Sequence, residues 1–266
     1  MTDKSSATPL TKKHIWQHQK IVKKDFWLIP IYIIANYIIP LILTLILIVS
    51  YDIFNIGSKY RLSDMNILIF GGVIAEICII LSFYGMHTKD NITAIVINRL
   101  KSVRKYILLI FIAYISTLLL NNLYDWLMTF LPKSLQYHET QNQLILEALF
   151  QDNWMLPFLF LDIVILTPII EELLFRHLII HELGKKITYA AASVLSVILF
   201  AGIHVLGATS PFEIGSYIFI AIGLVFVYLK SGKNLAVSIS LHTFNNLISF
   251  IAVSYTHLTL PTTPYV

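Results

Sequence analysis

The chain has 266 residues, of which 57% are hydrophobic and 13% charged, with a mean hydropathy of +0.75. Ordinary soluble domains are about 45–50% apolar and about 25% charged, so this is the composition of a membrane protein. The formal net charge of +4 reports topology and contact with anionic lipid rather than nucleic-acid binding.

The chain opens with a basic tail, residues 1–27, which shows no small-residue cleavage site. The apolar run behind it therefore reads as a retained anchor. Seven apolar segments near bilayer-spanning length follow, at 28–49, 66–86, 106–131, 154–182, 187–206, 213–229 and 234–253. They predict an all-α, polytopic transmembrane bundle of about seven helices. The first three helices occupy 28–131, 132–153 forms an extracytoplasmic loop, and 154–253 forms the core.

Lysine and arginine counts set the orientation. With the N-terminus in the cytoplasm of a multi-pass cell-membrane protein, fifteen basic residues lie inside, five of them in the 87–105 loop, against three outside. Residues 254–266 break the apolar pattern with Thr and Pro, carry no charge and read as a non-native tail, so the helix count is a minimum. Cys78, the lone cysteine, excludes an intrachain disulfide and a Cys-based zinc cluster, and no HExxH or nucleotide-binding Gly-rich loop occurs.

Chemistry concentrates in the fourth helix, where Glu171 and Glu172 stand in tandem within an apolar stretch. A carboxylate in hydrocarbon costs at least ~2.5–3.5 kcal/mol on insertion scales. Arg176, four residues after Glu172, is a local partner for that residue. Glu171 points about 100° away and has none on its own helix, which marks it as a functional candidate. Pro168 is expected to kink this helix and free a backbone carbonyl near the site. Asp162 and Glu76 read as partners of neighbouring helices. His177 and His181, spaced i,i+4 next to Glu182, form a second possible metal pair for which a structural or surface role is favoured.

Two further polar pairs follow at i,i+4 spacing, Phe200 with His204 and His242 with Asn246. At about 1.5 Å of rise per residue, Glu171 lies ~18 Å from its nearest cytoplasmic turn, His204 ~25 Å, His242 ~12 Å and Asn246 ~18 Å. With side-chain reach, the four can meet at one membrane level.

Glu171-Glu172-x-x-x-Arg176, Phe200-x-x-x-His204 and His242-x-x-x-Asn246, in this order, resemble the CPBP family, which comprises CAAX proteases and bacteriocin-processing enzymes also called Abi proteins. The resemblance covers about residues 154–253. The family usually has Gly after the motif arginine, where this chain has His177.

The resemblance implies an intramembrane endopeptidase in which Glu171, assisted by His204, activates water. His242 and Asn246 would stabilise the oxyanion, Glu172 and Arg176 would orient the helix, and Phe200 would wall the pocket. A metal-free mechanism is favoured, because Asn246 suits an oxyanion hole better than a zinc shell. Zinc on Glu171, His204 and His242 is the alternative. The implied partners are membrane lipid and a membrane-associated peptide or protein, in CAAX-type processing or in bacteriocin maturation and self-immunity. A non-catalytic immunity or scaffolding protein of the same fold is the other reading. A proton-coupled carrier ranks last, since the N-terminal half holds no counterpart of these motifs.

Overall fold

The computed structural model describes residues 15–259, and among these the regular structure is entirely helical. The first two predicted spans are α1 (Leu28–Ile53) and α2 (Asp64–Met86), which pack along one another. Ser63 caps α2 by accepting the Asn66 amide at 3.2 Å. The α1–α2 contact is close because Gly71 faces Pro40, with no room for a methyl group. A Cβ on Gly71 would lie 2.8 Å from the Pro40 Cα and Cβ, whereas one on Gly72 would meet nothing nearer than 3.8 Å.

Gly71→Ala therefore sets a helix-propensity gain of about 1 kcal/mol against an overpacking cost of about 1–3 kcal/mol. A lower thermal unfolding midpoint is expected for Gly71→Ala and none for Gly72→Ala. Equal midpoints for the two variants would contradict this account of the contact.

Residues 87–105, expected as a basic loop, instead contain α3 (Ile92–Val103). Ile92 is buried, and the Asn234 side chain bonds both Ser102 Oγ (2.7 Å) and the Arg99 carbonyl (3.3 Å), tying α3 to the last turn of the core. Arg99 and Lys101, counted with the flanking Lys89, Arg104 and Lys105, made the segment read as a basic loop. A 3₁₀ turn at Arg104–Tyr106 joins α3 to α4 (Ile107–Met128). The following loop carries a short helix, α5 (Gln141–Ala148), whose first amide is held by Glu213 at 2.7 Å.

The fourth predicted span is one helical run over 156–187 that alternates between α and π winding. It comprises α6 (Leu156–Leu159), a π stretch at Phe160–Leu166, α7 (Thr167–Glu172), a second π stretch at Leu173–Leu183, and α8 (Gly184–Ile187). Such π turns widen a helix locally and are frequent at functional sites. Thr188 begins α9 (Tyr189–His204), whose 16 residues span only about 24 Å. The bundle closes with α10 (Ile214–Lys230) and α11 (Leu235–Thr259).

Among the described residues five helices, at Lys23–Ile53, Ser58–Met86, Ile92–Met128, Pro211–Lys230 and Leu235–Thr256, are long and apolar enough to cross a membrane, against the seven spans expected. This is a polytopic helical bundle of a multi-pass membrane protein. Helix α11 continues through 254–259, residues set aside as tail, while 1–14 and 260–266 lie outside the described residues.

Residues 15–27, expected as part of a basic tail, fold against the bundle. Asp25 is fully buried, the Val22 amide donates to Glu182 at 2.7 Å, and the Trp16 indole donates to Asp25 at 2.8 Å. Lys24 donates to Asp90 in the α2–α3 turn and holds that carboxyl below the ordinary aspartate value.

Candidate active site

Three helical segments bring Glu171, His204 and His242 together. Glu171 Oε1 is 3.9 Å from His204 Nε2, and Glu171 Oε2 is 3.6 Å from His242 Nε2. The Glu171 side chain retains 13% exposure and that of His204 17%, so the site is narrow and reachable. Glu171 Oε2 is itself buried without a hydrogen-bond partner. Separations of 3.6–3.9 Å exceed a direct hydrogen bond and suit a bridging water.

Glu172 serves a different purpose. It is fully buried, pairs with Arg176 Nη1 at 3.0 Å, faces His242 Nδ1 at 3.1 Å and accepts from the Ser238 hydroxyl. Arg176 is fully buried as well, with its guanidinium carbon 4.7 Å from the centre of the Phe200 ring. Phe200 also stands over both histidines, 4.6 Å from the His204 ring centre and 5.7 Å from that of His242. One phenyl ring thus contacts three of the polar groups and keeps water off the Glu172–Arg176 pair.

Each histidine is oriented through Nδ1. That atom of His204 lies 2.7 Å from the Phe200 carbonyl, and that of His242 faces Glu172, so Nε2 of both rings turns towards Glu171. His242 thus stands between the two carboxylates, with Arg176 on the far side of Glu172.

Asn246 lies one turn beyond His242 on α11, and its amide nitrogen donates to the Ile163 carbonyl at 2.9 Å. In π winding the Ile163 carbonyl would bond the nitrogen of residue 168, which is proline and has no hydrogen to give. Asn246 therefore occupies the carbonyl that Pro168 releases, and the second hydrogen of its amide stays available.

Ser238 and Tyr217 are parts of this site that sequence reading missed. Ser238 precedes His242 by four residues, so it extends the His242–Asn246 stripe by one turn, a signal present in the spacing. Tyr217 stacks on His204 with ring centres 4.8 Å apart and carried no such signal. A hydrogen bond to a buried carboxylate is worth about 1.5–3 kcal/mol. Ser238→Ala is expected to lose that much stability in thermal or denaturant unfolding, and an unchanged midpoint would contradict the role given to Ser238.

The donor set Glu171, His204 and His242 is chemically suited to zinc, and its imidazoles carry the Nδ1 contacts typical of metal ligands. Among the described residues, however, the acid–histidine group whose ligand atoms all lie within 4.8 Å of one another is elsewhere, at Asp25, His177 and Glu182. Glu76, one of the other buried acids, accepts from Thr167 at 2.7 Å and sits beside Asp162, so both are engaged between α2 and the 156–187 run.

No curated protein and no solved structure matches the chain. Residues 153–248 match the family model described as type II CAAX prenyl endopeptidase Rce1-like, a segment that contains every motif residue from Glu171 to Asn246.

Proposed function

We propose that the protein is an intramembrane endopeptidase that hydrolyses a peptide bond in a membrane-associated peptide or protein by glutamate-activated water. The observation that carries this reading is the convergence of Glu171, His204 and His242 at water-bridging distances behind a buried Glu172–Arg176 pair. Water between Glu171 and the histidines loses a proton to Glu171 as it attacks the substrate carbonyl. His204 holds that water in line. The developing oxyanion is met by His242 Nε2–H and the remaining Asn246 N–H, donors worth most where water is excluded. Glu171 then returns its proton to the departing amine. Glu172 fixes His242 through Nδ1, and Arg176 pairs with Glu172.

Zinc, where bound, would be held by Glu171, His204 and His242 and would supply Lewis-acid activation of water. The N-terminus is assigned to the cytoplasmic side of the cell membrane by the basic-residue bias, with lipid and a peptide or protein substrate as partners and no nucleic acid. Within this reading, CAAX-type processing and bacteriocin maturation or self-immunity are the candidate roles.

Purified protein is to be incubated with prenylated CAAX peptides and with unmodified membrane peptides, and the products identified by mass spectrometry. Defined cleavage of either class by wild type, absent with Glu171→Ala, supports the proposal. Wild-type immunity or scaffolding activity that survives Glu171→Ala would favour a non-catalytic protein of the same fold.

A further inference from the structure

A second cluster of ionisable side chains, remote in sequence from the motifs and unused by the mechanism above, joins the N-terminal segment to the π stretch at Leu173–Leu183. Asp25 Oδ2 lies 2.7 Å from His177 Nε2, and ligand atoms of Asp25, His177 and Glu182 all fall within 4.8 Å of one another. Asp25 and Glu182 are fully buried and His177 nearly so. A tetrahedral zinc with bonds of about 2.0–2.2 Å spaces its ligand atoms roughly 3.3 Å apart, which these side chains reach by small rotations. Glu182 already accepts from the Val22 amide at 2.7 Å and from Lys185 at 2.6 Å, but a carboxylate offers about four lone-pair sites and retains room for an ion.

A pair of buried polar atoms borders this group: Asp25 Oδ1 and His87 Nε2 lie 3.0 Å apart, neither makes a well-formed hydrogen bond, and the other nitrogen of His87 faces Asp90 at 2.9 Å. Buried carboxylates of this kind are paired or coordinate a metal.

We propose that Asp25, His177 and Glu182 form a binding site for one divalent transition-metal ion of the zinc class, separate from the Glu171 site, that clamps residues 15–27 onto the Leu173–Leu183 helix. Two carboxylates and one imidazole give the mixed oxygen–nitrogen donor set that such ions take. The clamp sits beside the candidate active site in sequence, since His177 directly follows Arg176. It also borders an apolar cavity of about 470 Å³, whose lining includes Trp16, His177, Leu173 and Ile239. An ion here would set the position of Trp16 at the wall of that cavity.

The test uses the full chain in detergent, stripped with a chelator and titrated with Zn²⁺ by equilibrium dialysis and with Co²⁺ by visible absorption. The expected result is about one saturable ion per chain, with the d–d absorption of nitrogen- and oxygen-bound cobalt. Binding is expected to survive Glu171→Gln and to weaken at least about tenfold in Asp25→Asn and His177→Gln. No saturable ion in wild type, or binding lost in Glu171→Gln and kept in His177→Gln, would overturn the proposal. Should Asp25→Asn or His177→Gln fail to fold, the Glu171→Gln, His204→Gln, His242→Gln triple variant decides. An ion retained there supports the second site, and an ion lost there refutes it.

Discussion

Arg176→Ala is expected to destabilise the protein by about 3–5 kcal/mol, because it strands the fully buried Glu172 carboxylate without its cationic partner. Ser238 and His242 remain on Glu172, but neither replaces a guanidinium 3.0 Å away. The loss extends to packing, since the Arg176 guanidinium covers the Phe200 ring that also walls the site. Replacing both charges, as Glu172→Gln with Arg176→Met, is expected to cost less than Arg176→Ala alone, since no ion is then left buried. Unfolding of the variants in detergent checks this ordering. A loss below about 1 kcal/mol in Arg176→Ala, the range of exposed ion pairs, would mean that water reaches the pair.

The second large effect concerns His242, which stands between the two glutamates, 3.6 Å from one and 3.1 Å from the other. If it donates to the oxyanion, His242→Ala removes a contact made only as charge develops. The expected result is a fall of about 10²–10³ in kcat with little change in KM. A rise in KM at constant kcat would instead assign His242 to substrate binding. The unfolding midpoint must be followed in parallel, because this variant also removes one partner of Glu172.

The all-helical, polytopic character was legible as runs of apolar residues, although among the described residues five helices, not seven, are long and apolar enough to cross a membrane, and the expected spans at 154–182 and 187–206 are not among them. The meeting of Glu171, His204 and His242 is consistent with the rise per residue and the i,i+4 spacings. What escaped was set by tertiary context. Residues 15–27 read as part of a basic cytoplasmic tail, yet Asp25 is buried because Trp16 of the same segment and His87 and His177 from two other parts of the chain surround it. The helix α3 was masked by Arg99 and Lys101, which were counted with the basic residues of a loop. The local winding of 156–187 could be sensed only at Pro168; that its released partner would be the Ile163 carbonyl, and that Asn246 would take it, depends on π geometry that spacing does not encode. Ser238 was readable in principle, one turn before His242, but a serine in an apolar helix is usually bonded within its own helix. Here it reaches across to Glu172.

The most direct test of the central claim is the rate of cleavage of a fluorogenic membrane peptide by wild type and Glu171→Gln, each with and without a chelator. Glutamine keeps the shape of Glu171 and removes its basicity. The account predicts wild-type hydrolysis that persists under chelation and falls by at least about 10²–10⁴ in Glu171→Gln, with an unchanged unfolding midpoint. Hydrolysis undiminished in Glu171→Gln would contradict it.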